Sequence, residues 1–330
     1  QGFSVEKLKK LRLAHGHTQE RLAEILKTTQ QTIARWETGK SEPNIAALKD
    51  LALIFGTSID DLLGRNPLSP QGSDGVITNR YHLFADSDEG FWGHLGIRVP
   101  GAAKSIWYPI TLAEADRINQ RIAQTTSEGP WVVATTLNNR ALIINVATVP
   151  QLSMLDDDAD QVADDWDLGW DSYQGYSPEI YRGLEEHFLG FDDEEASEAF
   201  KKTIADVIDA EDLDGHKVSQ LLRATRVHYN NGTLKELWVD DDASWTTFST
   251  IEFDDDSLTF NLSDRDSGLD VFVGRQQVSM LDMPLHRLSD AAKRELETLE
   301  REEAESIAAA AVQKARNDPK GSTKKRGKLG

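Results

Sequence analysis

Residues 4–64 contain five short amphipathic segments, and a residue suited to capping a helix precedes each of them. Side-chain oxygens of Ser, Thr and Asn accept hydrogen bonds from the free N–H groups of a first helical turn, and apolar residues recur at helical spacing behind each cap. Gly39 and Gly56 follow two segments as helix terminators. The predicted helices cover residues 5–14, 19–26, 28 or 29 to 37, 45–55 and 58–63. This pattern predicts a compact all-α domain over residues 1–66, within the size range that folds alone.

Two of these segments carry a longer motif. Residues 18–23 read TQERLA, residues 28–40 read TTQQTIARWETGK, and Pro43, Leu48 and Leu51 follow. Together they resemble the Cro/cI-type helix-turn-helix of the XRE family, found in lambdoid phage repressors. The resemblance covers about a fifth of the chain. It implies a five-helix, lambda-repressor-like DNA-binding fold in which residues 19–26 form the first helix of the motif and residues 29–37 the recognition helix. It also implies an ion pair between Arg12 and Glu37 that braces the first helix of the domain against the recognition helix.

The recognition helix begins with side chains that suit base edges. A helix in the major groove presents its first residues to the bases, where a Gln amide can donate to and accept from adenine and Arg can donate twice to guanine. We therefore predict Gln30, Gln31 and Arg35 as base contacts. The alternative is that the two glutamines are solvated helix residues of a protein-binding module.

Phosphate contacts are predicted around the same helices. Gln19 begins the preceding helix, where backbone N–H groups and the helix dipole attract anions. The full predicted set of phosphate contacts is Gln19, Thr29, Thr32, Lys40 and Asn44.

The charge of the chain is unevenly distributed. The formal net charge of −20 at pH 7 would, as an average, repel nucleic acid. Residues 1–66 hold ten basic and eight acidic residues, residues 67–286 hold 15 and 40, and residues 287–330 hold 11 and eight. The acidity therefore belongs to the middle of the chain, and we expect repulsion to hold that region away from DNA phosphates.

The middle of the chain reads as a separate region. Residues 67–78 are rich in Pro, Gly and Ser and are predicted to be a flexible linker. Residues 79–286 mix β-type runs with helical ones and are predicted to be an α+β body for oligomerisation or regulation, with 79–158 and 216–286 as two candidate subdomains. The predicted strands are 131–136, 141–146, 226–229, 234–239 and 269–273, and the predicted helices are 111–124 and 194–208.

A short sequence repeat occurs inside this body. Residues 151–156 read QLSMLD and residues 277–282 read QVSMLD, each after an apolar β-type run. The repeat suggests the duplication of a small, sheet-forming and assembly-prone β unit. A chance match of six residues is the alternative.

The sequence offers no recognisable catalytic set. The chain has no Cys, which excludes disulfides, thiolate zinc sites and cysteine nucleophiles, and it lacks a His-Glu-x-x-His motif and a Gly-rich phosphate loop. It also lacks Ala-Gly and Cys-Gly, where self-cleaving phage-type repressors are cut. Acidic residues from 156 to 167 have calcium-loop-like spacing, but Gln161 occupies the turn position, so a solvated loop is favoured. For the aromatic residues within 92–108 and 166–181, core packing or a subunit interface is favoured over a ligand pocket. We predict no enzyme activity, metal site or cofactor.

The last residues divide into two parts. Residues 287–317 contain neither Pro nor Gly and are predicted to form one long helix. Residues 318–330 form a basic tail predicted to be disordered.

These patterns predict a multidomain, sequence-specific DNA-binding transcriptional regulator. We expect a repressor that binds a pseudo-palindromic operator in double-stranded DNA as a homodimer or higher oligomer, with a protein partner or small-molecule effector on the acidic body. The alternative is an antitoxin or antirepressor-like adaptor whose acidic body binds a protein, with DNA binding for autoregulation. No apolar run approaches the ~20 residues of a membrane span and the start lacks a signal-peptide pattern, so a cytoplasmic protein without membrane contact is expected.

Overall fold

The computed structural model describes residues 5–57, 59–63, 91–166, 168, 175–190, 196–252, 257–264 and 267–295, and also 297, 298, 301 and 305. Two compact units divide the chain, residues 1–289 and residues 290–330. In the second unit, every described residue is helical. The predicted linker at 67–78 and the predicted basic tail lie outside the described residues, as does the whole of the predicted helix beyond residue 305.

The N-terminal part of the chain, described over residues 5–57 and 59–63 and here called the head, consists of helices and the turns that connect them. The prediction of a helical head joined to a body of mixed helices and strands is confirmed. Its helices are α1 Val5–Ala14, α2 Gln19–Ile25, α3 Gln30–Trp36, α4 Ile45–Phe55 and α5 Ile59–Leu62.

Side-chain caps set where three of these helices begin. Thr18 accepts a hydrogen bond from the Arg21 N–H at 3.1 Å, and Thr29 accepts one from the Thr32 N–H at 3.2 Å. The side-chain oxygen Oδ1 of Asn44 accepts one from the Ala47 N–H at 2.9 Å at the start of α4. The apolar faces behind these caps meet in a single core, whose fully buried members are Leu8, Leu22, Ile33, Leu51, Ala52 and Leu62.

Over its described residues, the body contains two halves with the same order of elements, separated by three helices. The first half consists of β1 Phe91–Arg98, β2 Ile106–Thr111, α6 Leu112–Gln124, β3 Trp131–Thr135, β4 Arg140–Asn145 and β5 Gln151–Asp156. The intervening helices are α7 Pro178–Leu189, α8 Glu198–Ala210 and α9 Gly215–Leu222. The second half consists of β6 Ala224–Tyr229, β7 Leu234–Trp238, α10 Asp241–Glu252, β8 Thr259–Asn261, β9 Phe272–Gly274 and β10 Val278–Pro284.

The strands that the structure describes form three antiparallel sheets. One has the order β2-β1-β5, one has the order β3-β4-β10-β6-β7, and β8 pairs with β9. Strand β10 comes from the second half and lies between β4 and β6, so the five-stranded sheet joins both halves. The core of this region includes the fully buried side chains Leu95, Ile97, Ile110, Leu142 and Met280.

A buried ion pair joins the two halves inside this sheet. The carboxylate of Asp282 on β10 is fully buried and accepts a hydrogen bond from Nε of Arg140 on β4, whose side chain is also buried. Tyr108 donates to the same carboxylate at 3.1 Å, and Arg226 donates at 3.3 Å. Burial raises the pKa of Asp282, but the positive charges of Arg140 and Arg226 together lower it by more. The pKa of this carboxyl therefore lies below its ordinary value. This cluster fixes the register between β4, β10 and β6.

The aromatic residues of the body mostly pack in its interior. Trp107 and Tyr181 are 1% exposed, and the Trp166 ring lies 5.0 Å from that of Trp107 between centroids. This supports the packing interpretation over a ligand pocket; Trp170 and Tyr173 lie outside the described residues. Over the described part of the chain, no three His, Asp or Glu side chains are grouped so that they could hold a metal ion.

Helix α4 of the head contacts α7 and α8 of the body. The Lys49 ammonium lies 5.7 Å from the centre of the Phe200 ring and 3.8 Å from the Glu186 carboxylate. Ser197 donates a hydrogen bond to Asp50 at 2.5 Å, and Leu53 packs against the buried cluster of α7, α8 and α9. The head therefore rests on these helices through the side of α4.

None of the helices in the described residues is long and apolar enough to span a bilayer.

Candidate DNA-binding surface

Helices α2 and α3 are joined by a tight turn. Lys27 adopts a left-handed conformation there, with φ of 51°. The Thr28 N–H donates to the Ala23 carbonyl at 2.9 Å, which satisfies an acceptor at the end of α2. Ala23 and Ile33 are buried between the two helices. The turn and this small contact together fix the angle at which α3 leaves α2.

A buried polar network holds α3 against α1 and α2. Arg12 on α1 donates through Nε to Oε1 of Glu37 at 2.5 Å and through Nη2 to Oε2 at 3.1 Å. Gln19, at the start of α2, donates its amide to Oε2 of the same carboxylate at 2.7 Å. Burial raises the pKa of Glu37, but the hydrogen bonds from Arg12 and Gln19 outweigh it and bring the pKa below its ordinary value. The ion pair implied by the sequence resemblance is present between α1 and the end of α3, and Gln19 connects α2 to it.

The three residues predicted to contact bases are all exposed on α3. Gln31 and Arg35 are one helical turn apart and therefore share a face. Gln30 Nε2 lies 3.5 Å from Oε1 of Gln19, within reach of a weak hydrogen bond. The Gln side chains that open α2 and α3 are thus held side by side. The α3 surface so defined, with Gln30, Gln31 and Arg35 at its centre, is called the reading face below.

The residues predicted to contact phosphates lie on α3, just after it and at the starts of α2 and α4. Thr29 is exposed and its hydroxyl lies 2.9 Å from that of Thr32, while Asn44 is exposed at the start of α4. Lys40 is exposed just after Gly39, whose φ of 69° ends the segment. The side-chain oxygens of Thr29 and Asn44 already accept hydrogen bonds that cap their helices. The groups that could still donate to a phosphate are therefore the Thr29 hydroxyl, the Asn44 amide and the neighbouring backbone N–H groups.

One contact at this candidate surface was not predicted from the sequence. The Gln19–Gln30 contact was not predicted, and Gln19 was assigned only to phosphate. A signal was present, because both glutamines occupy the first helical position after a capping Thr. In the folded head one Gln19 amide therefore touches both the buried ion pair and the reading face.

The helix-turn-helix class of domain is defined by a short helix, a tight turn and an exposed second helix. Here these are α2, the turn at Lys27 and α3, and α1 braces α3 through Arg12. The helix-turn-helix family profile matches residues 8–62, which include all of these elements. The chain belongs to this helix-turn-helix family, of the XRE type.

The chain is also similar to curated regulators over segments of 56 to 63 residues. The HTH-type transcriptional activator BcrR of Enterococcus faecalis is 43% identical over 63 residues, which are 19% of this chain and 31% of that protein. The SPbeta prophage-derived uncharacterized HTH-type transcriptional regulator YonR of Bacillus subtilis is 43% identical over 58 residues, 18% of this chain and 54% of that protein. The uncharacterized HTH-type transcriptional regulator MJ0272 of Methanocaldococcus jannaschii is 41% identical over 56 residues, 17% of this chain and 85% of that protein.

Each of these similarities covers less than a fifth of the chain. The chain spans about a third and about a half of the length of the first two relatives. No solved structure matches the chain.

Proposed function

We propose that this protein is a sequence-specific DNA-binding transcriptional regulator that reads an operator through the α3 reading face. The observation that carries the proposal is the exposure of Gln30, Gln31 and Arg35 on a helix whose C-terminal end is held in place by the buried Arg12–Glu37 ion pair. A helix held in this way enters the major groove without first having to order itself, because its backbone and its neighbours are already fixed.

The contact between head and body is compatible with this use of α3. Helix α4 meets α7 and α8 through Lys49, Asp50 and Leu53, and the reading face remains exposed in the same structure. The body can therefore stay in contact with the head while α3 occupies DNA. The negative charge of the body then limits binding away from the groove, because it repels phosphates that the head does not neutralise.

We further propose that the protein acts as a dimer or higher oligomer on a pseudo-palindromic operator, and that it represses. Two heads place their reading faces in successive major grooves, roughly 34 Å apart. An oligomer that covers such a site competes with other proteins for the same DNA, and this is the physical basis of the proposed repression. The relative that is named as an activator matches only 19% of this chain, so its sign of regulation is not carried over to this protein.

The reading face is tested by Gln31→Ala and Gln30→Ala, measured by titration against an operator selected from genomic fragments. A bidentate contact from Gln to adenine contributes about 1–3 kcal/mol of discrimination, so we expect each variant to lose about 5- to 150-fold preference for its base pair. Binding to unrelated DNA should stay nearly the same. Glu20→Ala is a matched control, because Glu20 is an exposed residue of α2 outside the reading face. An unchanged sequence preference in both Gln variants would exclude this assignment of α3.

Lys40 tests the phosphate contacts. Because a phosphate contact carries no base information, we expect Lys40→Ala to weaken binding to all sequences to a similar extent. The slope of log K against log salt should become shallower by about one, which a salt titration measures. A loss restricted to the operator would instead show that Lys40 reads bases.

A further inference from the structure

We propose that two copies of this chain join through strand β5 of one copy and strand β9 of the other. The strands would pair antiparallel, in the register that β10 and β4 adopt within one chain. The proposal deepens the dimer part of the proposed function and rests on it only for its biological use, since every strand and contact that supports it lies in the body.

The two halves of the body are structural repeats of each other. In residues 91–156, β1 pairs with β2 and β5, and β3 pairs with β4. In residues 224–284, β6 pairs with β7 and β10, and β8 pairs with β9. A helix follows the second strand in each half. The six-residue sequence repeat falls on β5 and on the start of β10, which are the equivalent last strands. The short match in sequence thus marks a duplication of the whole unit.

Equivalent turns of the two halves touch each other. Gly101 follows β1 and Gly232 follows β6, and both have left-handed backbones, with φ of 80° and 83°. A Cβ atom placed on Gly101 would lie 3.3 Å from the Cα of Gly232. Contact between equivalent turns indicates that the two halves are related by a pseudo-twofold axis that passes near them.

The pseudo-twofold symmetry of the body is incomplete, because one of the two expected strand pairings between the halves is not formed in the described part of the chain. Strand β4 of the first half pairs with β10 of the second. The equivalent junction would pair β9 of the second half with β5 of the first. Among the strands that the structure describes, however, β5 pairs only with β1 and β9 pairs only with β8. Two strand edges that match a junction already formed elsewhere in the chain are therefore open, and open edges readily pair with another strand.

The strand missing beside β9, over the residues described, leaves a side chain exposed whose equivalent on β4 is buried. The first cross-strand pair of the β3–β4 hairpin is Trp131 with Asn145, and that of the β8–β9 hairpin is Thr259 with Gly274. When these two pairs are aligned, Phe272 on β9 occupies the position of Ile143 on β4. Ile143 is 0% exposed, whereas Phe272 is 64% exposed. A large apolar side chain on an unflanked edge is expected to be covered by the missing strand.

The existing junction also predicts the new register. Ile143 lies opposite Leu281 across β4 and β10, and Leu281 corresponds to Leu155 in the sequence repeat. Phe272 of one copy should therefore face Leu155 of the other.

A second copy of the same chain is the occupant that fits both edges. Each chain carries one β5 edge and one β9 edge, so a twofold dimer forms two identical junctions and leaves neither edge open. A foreign strand would satisfy one edge and leave the other exposed.

Cysteine pairing tests the register, because the natural chain has no Cys. Leu155→Cys and Phe272→Cys chains are prepared separately, mixed without DNA and oxidised. Residues directly opposite in an antiparallel pair have Cβ atoms about 4.5–5.5 Å apart, close to the separation in a disulfide, so we expect a covalent dimer in the mixture alone. Self-linking of Leu155→Cys would show that β5 pairs with itself and would overturn the proposal. An internal disulfide in the double variant, without dimer, would place the junction within one chain and would also overturn it.

Light scattering tests the dimer itself. We expect the natural protein to have the mass of two chains and Phe272→Lys to have the mass of one, because a buried unpaired ammonium opposes the junction. Phe272 is exposed in the single chain, so its replacement leaves the fold intact. Leu234→Lys, on the far edge strand β7 and 51% exposed, is the matched control and should remain dimeric. A monomeric natural protein, or a dimeric Phe272→Lys, would refute the junction. Because DNA is absent, either result leaves the assignment of the reading face untouched.

Discussion

Replacing Arg12 by Met is expected to destabilise the head by about 3–5 kcal/mol, because it leaves the Glu37 carboxylate buried without its cation. The side chains of this pair are only 8% and 3% exposed. A domain of some 60 residues has a total stability of about 3–9 kcal/mol, so most of it would be lost. We therefore expect the α3 reading face to be disordered for much of the time, and operator binding to fall with it.

The double variant Arg12→Met with Glu37→Met separates charge burial from packing. When both members of a buried ion pair are replaced by apolar residues of similar size, stability is commonly retained. The double variant should thus recover most of the loss, as followed by hydrogen exchange of the peptides that cover α2 and α3 in the whole chain. Equal losses in the single and double variants would mean that Arg12 acts by packing alone.

An exposed pair on the neighbouring helix is the matched control. Arg21 and Glu24 lie 3.1 Å apart, but their side chains are 62% and 67% exposed. Because water already solvates both charges, Arg21→Met should change the stability by less than about 1 kcal/mol. The contrast between Arg12 and Arg21 tests whether burial, rather than ion pairing as such, supports the reading face.

The head was predictable from sequence because its determinants are local. Thr18, Thr29 and Asn44 each cap the helix that immediately follows, and the apolar spacing behind them indicates the buried face. The positions of Gln30 and Gln31 at the start of α3 followed from the same signals. The bridge from Gln19 to Glu37 was harder to foresee, since it joins residues 18 apart whose distance depends on how the helices cross.

The body was predicted only in outline because its determinants are distant in sequence. Helix α10 has the sequence DDASWTTFSTIE, rich in Thr, Ser and aromatic residues that favour strands, and it was not predicted. Its Phe248 is fully buried, so tertiary packing overrides the local preference. The same holds for the contact of α4 with α7 and α8, whose residues Lys49 and Glu186 carry no mutual signal in the sequence.

The largest effect in the body is expected at Asp282. Replacing it by Asn leaves Arg140 buried beside a neutral amide, and the breaking of a buried pair costs about 3–5 kcal/mol. The loss should appear as a lower midpoint of urea unfolding at pH 7, with an unchanged dependence on urea concentration. Asp206→Asn is the control, because Asp206 and Lys202 form a pair whose side chains are 62% and 73% exposed, and its midpoint should hardly move.

Acid provides an independent check on the same carboxylate, since its pKa in the folded protein lies below the ordinary value of 3.8. A group whose pKa is lowered on folding stabilises the protein fully above its ordinary pKa, and this stabilisation disappears as the pH falls through the folded value. The difference in unfolding free energy between the natural protein and Asp282→Asn should therefore be constant from neutral pH down to about pH 5 and shrink below about pH 4. A difference that stayed constant into strong acid would mean that the charge of Asp282 contributes nothing, and that its shape and hydrogen bonds alone hold β10 between the two halves.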